Sequence, residues 1–293
     1  MRAVFIGEGM VELSQDGDAW RLGYGGDTLN TAIHLARRGI STAYLTALGA
    51  DPFSEQMKRD WAAEGLDTGM VLTDPLRSAG LYAIATDPQG ERSFAYWRSD
   101  SAARRLFDCD GIGALIDQAA AADLLAFSLI SLAILPPEGR ARLLLLARQA
   151  HARGAIIAFD GNYRPRLWAS PAEARAARDA AIACATIGLP TLEDEAALSG
   201  SADAAAVAAH WQGLGCAETV VKLGAQGCLL PDGTILAPAE TLAPVDTSGA
   251  GDAFNAGYLA ARLGGASYAE AAREGHRLAG WTIMRRGAIP PRD

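Results

Sequence analysis

Lysine is almost missing from this chain: Lys58 and Lys222 are the only two in 293 residues. A Walker A loop needs a Gly-Lys-Ser/Thr run, whereas these lysines follow Met57 and Val221, so P-loop kinases are excluded. Basic blocks are missing as well. Lys and Arg total 26 against 34 Asp and Glu, a net charge of −8 at pH 7. With no positive cluster to follow a phosphate backbone, nucleic acid is not an expected partner. Cysteine is sparse: Cys109, Cys184, Cys216 and Cys228 form no CxxC pair and have no histidine at zinc-finger spacing, so they read as reduced small hydrophobes. There is no long apolar run at the start either. The segment MRAVFIGEGMVELSQD is broken by Glu8 and followed by Glu12 and Asp16, which suits neither a signal peptide nor a spanning helix. The expectation is a soluble, cytoplasmic protein with no membrane partner, and with half its residues hydrophobic it has ample material for a core.

What is present is alternation. Short β-rich runs (RAVFIGEG, TAYLTALG, LLAFSL, AIIAFDGN, ATIGLP, ETVVKLG) take turns with helical stretches (DTLNTAIHLARRG, PFSEQMKRDWAAEG, PEGRARLLLLARQAHARG, SPAEARAARDAAIA). That repetition predicts an α/β fold whose mostly parallel sheet is covered on both faces. Pro137 and Pro171 mark helix starts, Ser170 is a candidate N-cap, and Gly39, Gly65 and Gly154 follow helix ends. An Ala-rich helix near 202–212 reads as surface cover, and two helices close the chain after residue 250.

Two stretches break the pattern. Residues 11–24 and 77–98 are strand-like, the second with a DPQG turn between LYAIAT and RSFAYW. They predict a hairpin and a partner strand forming a small β lid over the carboxyl ends of the parallel strands, where open α/β sheets bind ligands. An extension of the main sheet is the alternative. The expected division is a core of residues 1–10, 25–76 and 99–293, with a lid of 11–24 and 77–98.

The most informative string is DTSGAGDAFNAGY, residues 246–258. Gly249, Ala250 and Gly251 lie where a loop enters a helix, and small residues there let backbone N–H groups converge on an anion at the positive end of the helix. Asp252, in the first turn, is expected to stay ionised and to accept a proton from a hydroxyl beside that anion. A bare GAGD reads better as an ordinary Gly-rich helix start with a stabilising Asp; the longer string carries the specificity. A dinucleotide fingerprint fails, because Glu12 stands where GEGMVE needs its third glycine and no helix opens there. A second glycine site, Gly25-Gly26-Asp27-Thr28-Leu29-Asn30, also leads into a helix. Its glycines allow close approach of a ligand, and Asp27 and Asn30 offer hydrogen bonds to hydroxyls, although a plain helix cap reads the same way.

These two segments carry a resemblance. YGGDTLNTAIHLARRG and DTSGAGDAFNAGYLA are similar to the two signatures of the ribokinase, or PfkB, family of carbohydrate kinases, and the likeness runs nearly the full length. GGDTLN, SFAYWRSDSAARRL and FDGNYRPRLW resemble the members acting on 2-keto-3-deoxygluconate more than ribokinases, fructokinases or adenosine kinases. The resemblance implies a three-layer α/β/α core with a β lid, and ATP-dependent phosphorylation of the terminal hydroxyl of a sugar acid with Mg²⁺. A kinase of a neutral sugar, or a sugar-acid sensor without turnover, is the alternative. It implies Asp252 as base and the N–H groups of Gly249, Ala250 and Gly251 as the anion hole. Gly25, Gly26 and Asn30 would hold sugar hydroxyls, Tyr82, Tyr96 and Arg98 would reach from the lid, and Arg164 would lie near the sugar acid or the phosphates. Lys222, Gly224 and Gly227 would line the nucleotide cleft, with Thr247 and Asn255 flanking it. The family's Asn-x-x-Glu metal pattern is not matched: Thr191 and Asp194 stand there, leaving Asp194 or Glu195 to serve a hydrated Mg²⁺. A homo-oligomer is expected. Period-two alternation predicts Tyr96 and Arg98 on one ligand-facing surface, where a guanidinium can grip a carboxylate.

Other conspicuous residues read as structural. His34, His151, His210 and His276 have no paired ligand spacing. Trp20, Trp61, Trp168, Trp211 and Trp281 read as packing residues, Arg104–Arg105 as a solvated turn, and Glu12 and Asp16 as exposed strand carboxylates.

Overall fold

A computed structural model describes residues 1–86 and 92–292; the expected DPQG turn lies outside them. The chain opens with β1 (Arg2–Ile6), β2 (Met10–Asp16), β3 (Ala19–Gly25), α1 (Asp27–Ala36), β4 (Ser41–Gly49), α2 (Pro52–Ala63), β5 (Val71–Asp74), β6 (Gly80–Thr86) and β7 (Arg92–Trp97). A 3-10 segment, Ala102–Asp108, leads to α3 (Ile112–Ala120), β8 (Leu124–Ser128), α4 (Leu129–Ile134), α5 (Pro137–Ala152), β9 (Ile156–Asp160), α6 (Pro171–Ile182) and β10 (Ile187–Gly188). Then come α7 (Leu192–Ser199), α8 (Ala204–Gly213), β11 (Glu218–Thr219), β12 (Val221–Lys222), β13 (Cys228–Leu229), β14 (Ile235–Leu236), α9 (Ala250–Leu263) and α10 (Tyr268–Ile283).

Seven strands form one parallel sheet in the order β11-β10-β9-β8-β1-β4-β5. Alternate residues of β1 enter opposite cores: Val4 and Ile6 pack with α3–α8, Ala3 and Phe5 with α1, α2, α9 and α10. This sandwiching is why the strands read as continuous apolar runs. On the first side Phe127, Phe159 and Trp211 form an aromatic column with centroid spacings of 5.3 and 5.5 Å. The helix starts follow the expected chemistry: Pro137 and Pro171 open α5 and α6, and the Ser170 hydroxyl accepts the Glu173 N–H. No helix among the described residues is long and apolar enough to cross a membrane.

The lid segments form a separate four-stranded sheet in the order β3-β2-β6-β7. Residues 11–24 make a second hairpin rather than a lone strand, because Gly17, at φ +62°, supports a tight reversal between β2 and β3. The two hairpins meet through the parallel pair β2–β6. ETVVKLG also departs from expectation: it is not one strand but changes sheets at Val220. Glu218 and Thr219 extend the parallel sheet, whereas Val221 and Lys222 pair with β13 in the three-stranded antiparallel sheet β12-β13-β14. Trp20 is not a packing residue; on outer strand β3 it is 50% exposed.

Removing the middle of the aromatic column tests this account of the core. Phe159→Ala should cost about 3–5 kcal/mol by chemical denaturation, the range for emptying a buried aromatic site, while Leu145→Ala on the exposed face of α5 should stay within about 0.5 kcal/mol.

Candidate active site

Between β1 and β8 the chain runs off to opposite sides of the sheet, and such a switch point leaves a crevice at the carboxyl ends of the strands. A cavity of about 20 Å³ lies there, lined among others by Phe5, Asp27, Thr28, Ser128, Asp160 and Asn255. Two helices start at this edge. Gly26 precedes α1, and a Cβ on it would stand 2.1 Å from the Glu8 carbonyl oxygen, so only glycine lets the chain pass. Gly249 precedes α9 in the left-handed conformation, at φ +69°, with Ala288 packed where a Cβ would project. The Asp246 carboxylate ties down this loop by accepting the N–H groups of Ser248 and Gly287, both at 2.8 Å.

The two helix starts meet. Asn30 donates its side-chain amide to Oδ2 of Asp252 at 2.8 Å, and the Thr31 hydroxyl donates to the Asp252 carbonyl at 3.2 Å. The other amide atom, Asn30 Oδ1, is buried without a partner among the described residues. Asp252 corrects one expectation: the helix terminus does not hold it strongly ionised. Burial, with the carboxylates of Asp27 and Asp160 nearby, pushes its pKa up to about 7, against the opposing pull of the Asn30 bond and Lys222.

Beneath α9 lies a second polar group. Lys222 donates to both oxygens of Asp160 and to Oδ1 of Asn255, each at 3.2 Å, and Asn255 donates to Asp160 Oδ2 at 2.7 Å. Asn162 donates to Asp27 at 3.1 Å. The turn containing Gly224 and Gly227 leaves β12 next to this cluster, and Thr247, exposed, accepts the Ala250 N–H at 3.3 Å.

From the second sheet, Tyr82 reaches inward. It is buried against Glu12, its hydroxyl donates to that carboxylate, and burial with the negative charges of Glu12 and Asp252 raises its pKa. Tyr96 stacks on it at 6.0 Å and is half exposed. A Cβ on Gly25 would lie 2.2 Å from the Tyr82 hydroxyl, so the sheet sits directly on the first glycine site. Glu12 is therefore not an exposed strand carboxylate. Arg98 follows the end of β7, where alternation stops, and its guanidinium bonds the buried carboxylate of Glu8, which also accepts from Ser101. Arg98 Nε is buried and unpartnered among the described residues.

Arg164 is half exposed and donates to Asp194 at 3.1 Å. Glu195 is unavailable to a metal: Arg178 holds one oxygen at 2.5 Å, the Trp211 indole holds the other at 3.1 Å, and the residue is 2% exposed. Asp194 is raised in pKa by burial, partly offset by Arg164. As a lone carboxylate beside the cleft it fits a hydrated Mg²⁺, which needs only one or two such contacts, and does not make a site alone; no cluster of three or more metal-ligating side chains occurs among the described residues. The polar cluster also includes Asp160 and Asn162, whose roles sequence reasoning missed. Their signal was two polar residues directly at the end of the apolar strand IIAF.

A parallel α/β sheet, a covering β sheet and a carboxylate at a glycine-led helix start define a kinase-type site for a hydroxyl and an anion. Residues 3–293 match the model of the pfkB family carbohydrate kinases, and the chain belongs to that family. It is 44% identical over 298 residues to the 2-dehydro-3-deoxygluconokinase of Escherichia coli K12, covering 98% of this chain and 96% of that one, and 43% identical over 296 residues to its namesake from Dickeya dadantii, covering 98% and 96%. A fructokinase from Klebsiella pneumoniae is 31% identical, over 87% of this chain and 82% of its own. Among solved structures, a PfkB protein from Polaromonas superposes with a TM-score of 0.84 at 28% identity, over 96% and 95% of the two chains.

The raised pKa of Asp252 has a consequence for stability. A carboxyl titrating near 7 when folded and near 3.8 when unfolded stabilises the fold fully below about pH 4, and that contribution is lost as pH rises to 7. Asp252→Asn removes the ionisation, so at pH 8 the variant should be more stable than the native protein by about 1–2 kcal/mol. Near pH 4 the two should converge. Thermal melts at both pH values check this.

Proposed function

We propose that the protein transfers a phosphoryl group from ATP to the terminal hydroxyl of 2-keto-3-deoxygluconate (2-dehydro-3-deoxygluconate), giving the 6-phospho acid and ADP. The observation that carries the reading is the Asn30–Asp252 hydrogen bond, which brings the hydroxyl-binding and anion-binding helix starts to one point. Asp252 takes the proton from the attacking hydroxyl; a carboxylate titrating near neutral pH is well matched to that task. The N–H groups of Gly249, Ala250 and Gly251 form the cradle for the transferring phosphoryl group, the Ala250 N–H being shared with the Thr247 carbonyl, so the protein contributes chiefly position and electrostatics.

Gly25, Gly26 and Asn30 hold sugar hydroxyls, the unpaired Asn30 Oδ1 being an acceptor for one of them. Lys222, Gly224 and Gly227 line the nucleotide cleft with Thr247 and Asn255. Mg²⁺ neutralises the phosphates when bound, with Asp194 as the carboxylate that would hold its waters. The four-stranded sheet is a lid that excludes water through Tyr82 and Tyr96. The resemblance to 2-dehydro-3-deoxygluconokinases at 44% identity, against 31% to a fructokinase, favours a sugar acid over a neutral sugar. Arg98 and Arg164 are the cations that read its carboxylate, Arg98 held ready by Glu8. Exposed apolar side chains on the outer lid strands, Trp20, Leu22 and Trp97, support self-association through this sheet.

A coupled ADP-release assay with 2-keto-3-deoxygluconate, fructose and ribose tests the assignment, and a preference for a neutral sugar overturns it. Asp252→Asn should lose about 10²- to 10⁴-fold in kcat while still binding substrate. Arg164→Ala should lower kcat/KM for the keto acid by about tenfold or more relative to fructose, and Arg164→Ala combined with Asp194→Asn, which removes the carboxylate that Arg164 pairs, should show the same loss of preference.

A further inference from the structure

Lys222 is 8% exposed, and its three N–H donors have three acceptors, two on Asp160 and one on Asn255. Asn255 closes the ring by donating back to Asp160. An ammonium so engaged has no donor left to offer a ligand, and what it projects into the site is charge. The place it charges is specific: a Cβ built on Gly251 would lie 3.6 Å from Lys222 Nζ, so the cation stands directly behind the last glycine of the helix start. The ionisable groups facing Asp252 are Asp27 from α1, Asp160 from the end of β9, Lys222 from β12 and Tyr82, paired with Glu12, from the covering sheet. Of these only Lys222 is positive, and Asp27 is held by the neutral Asn162.

We propose that Asp160 and Lys222 are a positioning pair for phosphoryl transfer: Asp160 fixes the ammonium behind Gly251, where its charge keeps the Asp252 carboxylate available as a base and strengthens the anion cradle. The proposal rests on the reading of Asp252 as the base. It gives Lys222 a role through its field rather than through a bond to nucleotide, and gives Asp160 a role that acts entirely through Lys222 and Asp252. Burial amplifies the effect, because a cation in low-dielectric surroundings acts over several ångströms with little screening.

The two residues carry opposite charges, so their neutralisation must act with opposite sign. In a pH profile of kcat/KM for the keto acid between pH 5 and 9, at saturating ATP, Lys222→Met should move the acid limb up by about 0.5 pH unit or more. Asp160→Asn, which deletes a negative charge while Asn255 Oδ1 and the new amide oxygen still hold the ammonium, should move it down by a similar amount. Lys222→Arg, which keeps the charge, should leave it close to that of the native enzyme. Because either variant can also weaken turnover, the Asp252 carboxyl is followed directly by carbon NMR in the full-length protein labelled at aspartate, its signal assigned by its loss in Asp252→Asn. Opposite displacements of that titration support the pair. Displacements of the same sign, or none, show a merely structural ion pair and overturn the proposal while Asp252→Asn remains inactive. An active Asp252→Asn instead overturns the base assignment, and this proposal with it.

Discussion

The hydrogen bond from Asn30 to Asp252 joins positions 222 residues apart, and the functional geometry is organised around it. Each partner sits in the first turn of a helix that could begin only at a glycine: Gly26 because the Glu8 carbonyl lies against it, Gly249 because the chain turns there with positive φ. Moving either helix start would part the amide from the carboxylate. The contact therefore transmits the packing of α1 against α9, and of both against the parallel sheet, to the two atoms at the centre of the proposed proton transfer. That geometry must hold within a few tenths of an ångström for positioning to be effective.

The surroundings of this bond are unusual in their charge. Asp27, Asp160 and Asp252 converge at one sheet edge with a single ammonium among them. Three side-chain amides, Asn30, Asn162 and Asn255, each donate to one of these carboxylates and spread the cost of burying them. Elsewhere the protein neutralises buried carboxylates with arginine: Glu195 with Arg178, Glu218 with Arg262. Amides leave the negative charge in place. Arginine pairing suits structure, whereas amide pairing suits the proton-accepting role proposed for Asp252.

Much of this was legible in the sequence because it is local. The strand–helix alternation, the caps at Ser170 and Pro171, and the two glycine-led segments depend on neighbouring residues. What was not legible depends on pairings across the chain. No local pattern distinguishes Glu12, which receives the Tyr82 hydroxyl, from Asp16, which stays at the surface with Arg21. Arg98 was expected on the ligand face by alternation, but the strand ends one residue before it and Glu8 takes its guanidinium. The helix position alone predicts a firmly ionised Asp252; burial, together with two carboxylates arriving from α1 and β9, outweighs that local field. The break of ETVVKLG at Val220 likewise depends on β13, which lies beyond it in the chain.

The covering sheet is sewn to the rest of the molecule at four seams: between Ile6 and Met10, between Gly25 and Asp27, between Asp74 and Gly80, and after Trp97. All four leave from one end of the sheet, where Met10 lies beside Gly25 and Gly80, and Leu81 beside Trp97, so the panel is stitched along a single edge. The stitched end, with Gly25 and Gly80, is thus kept at the carboxyl ends of the parallel strands, while no connection among these four restrains the opposite end. The molecule is built like a book whose cover is sewn along the spine: the alignment of the two sheets is set at that one row of stitches.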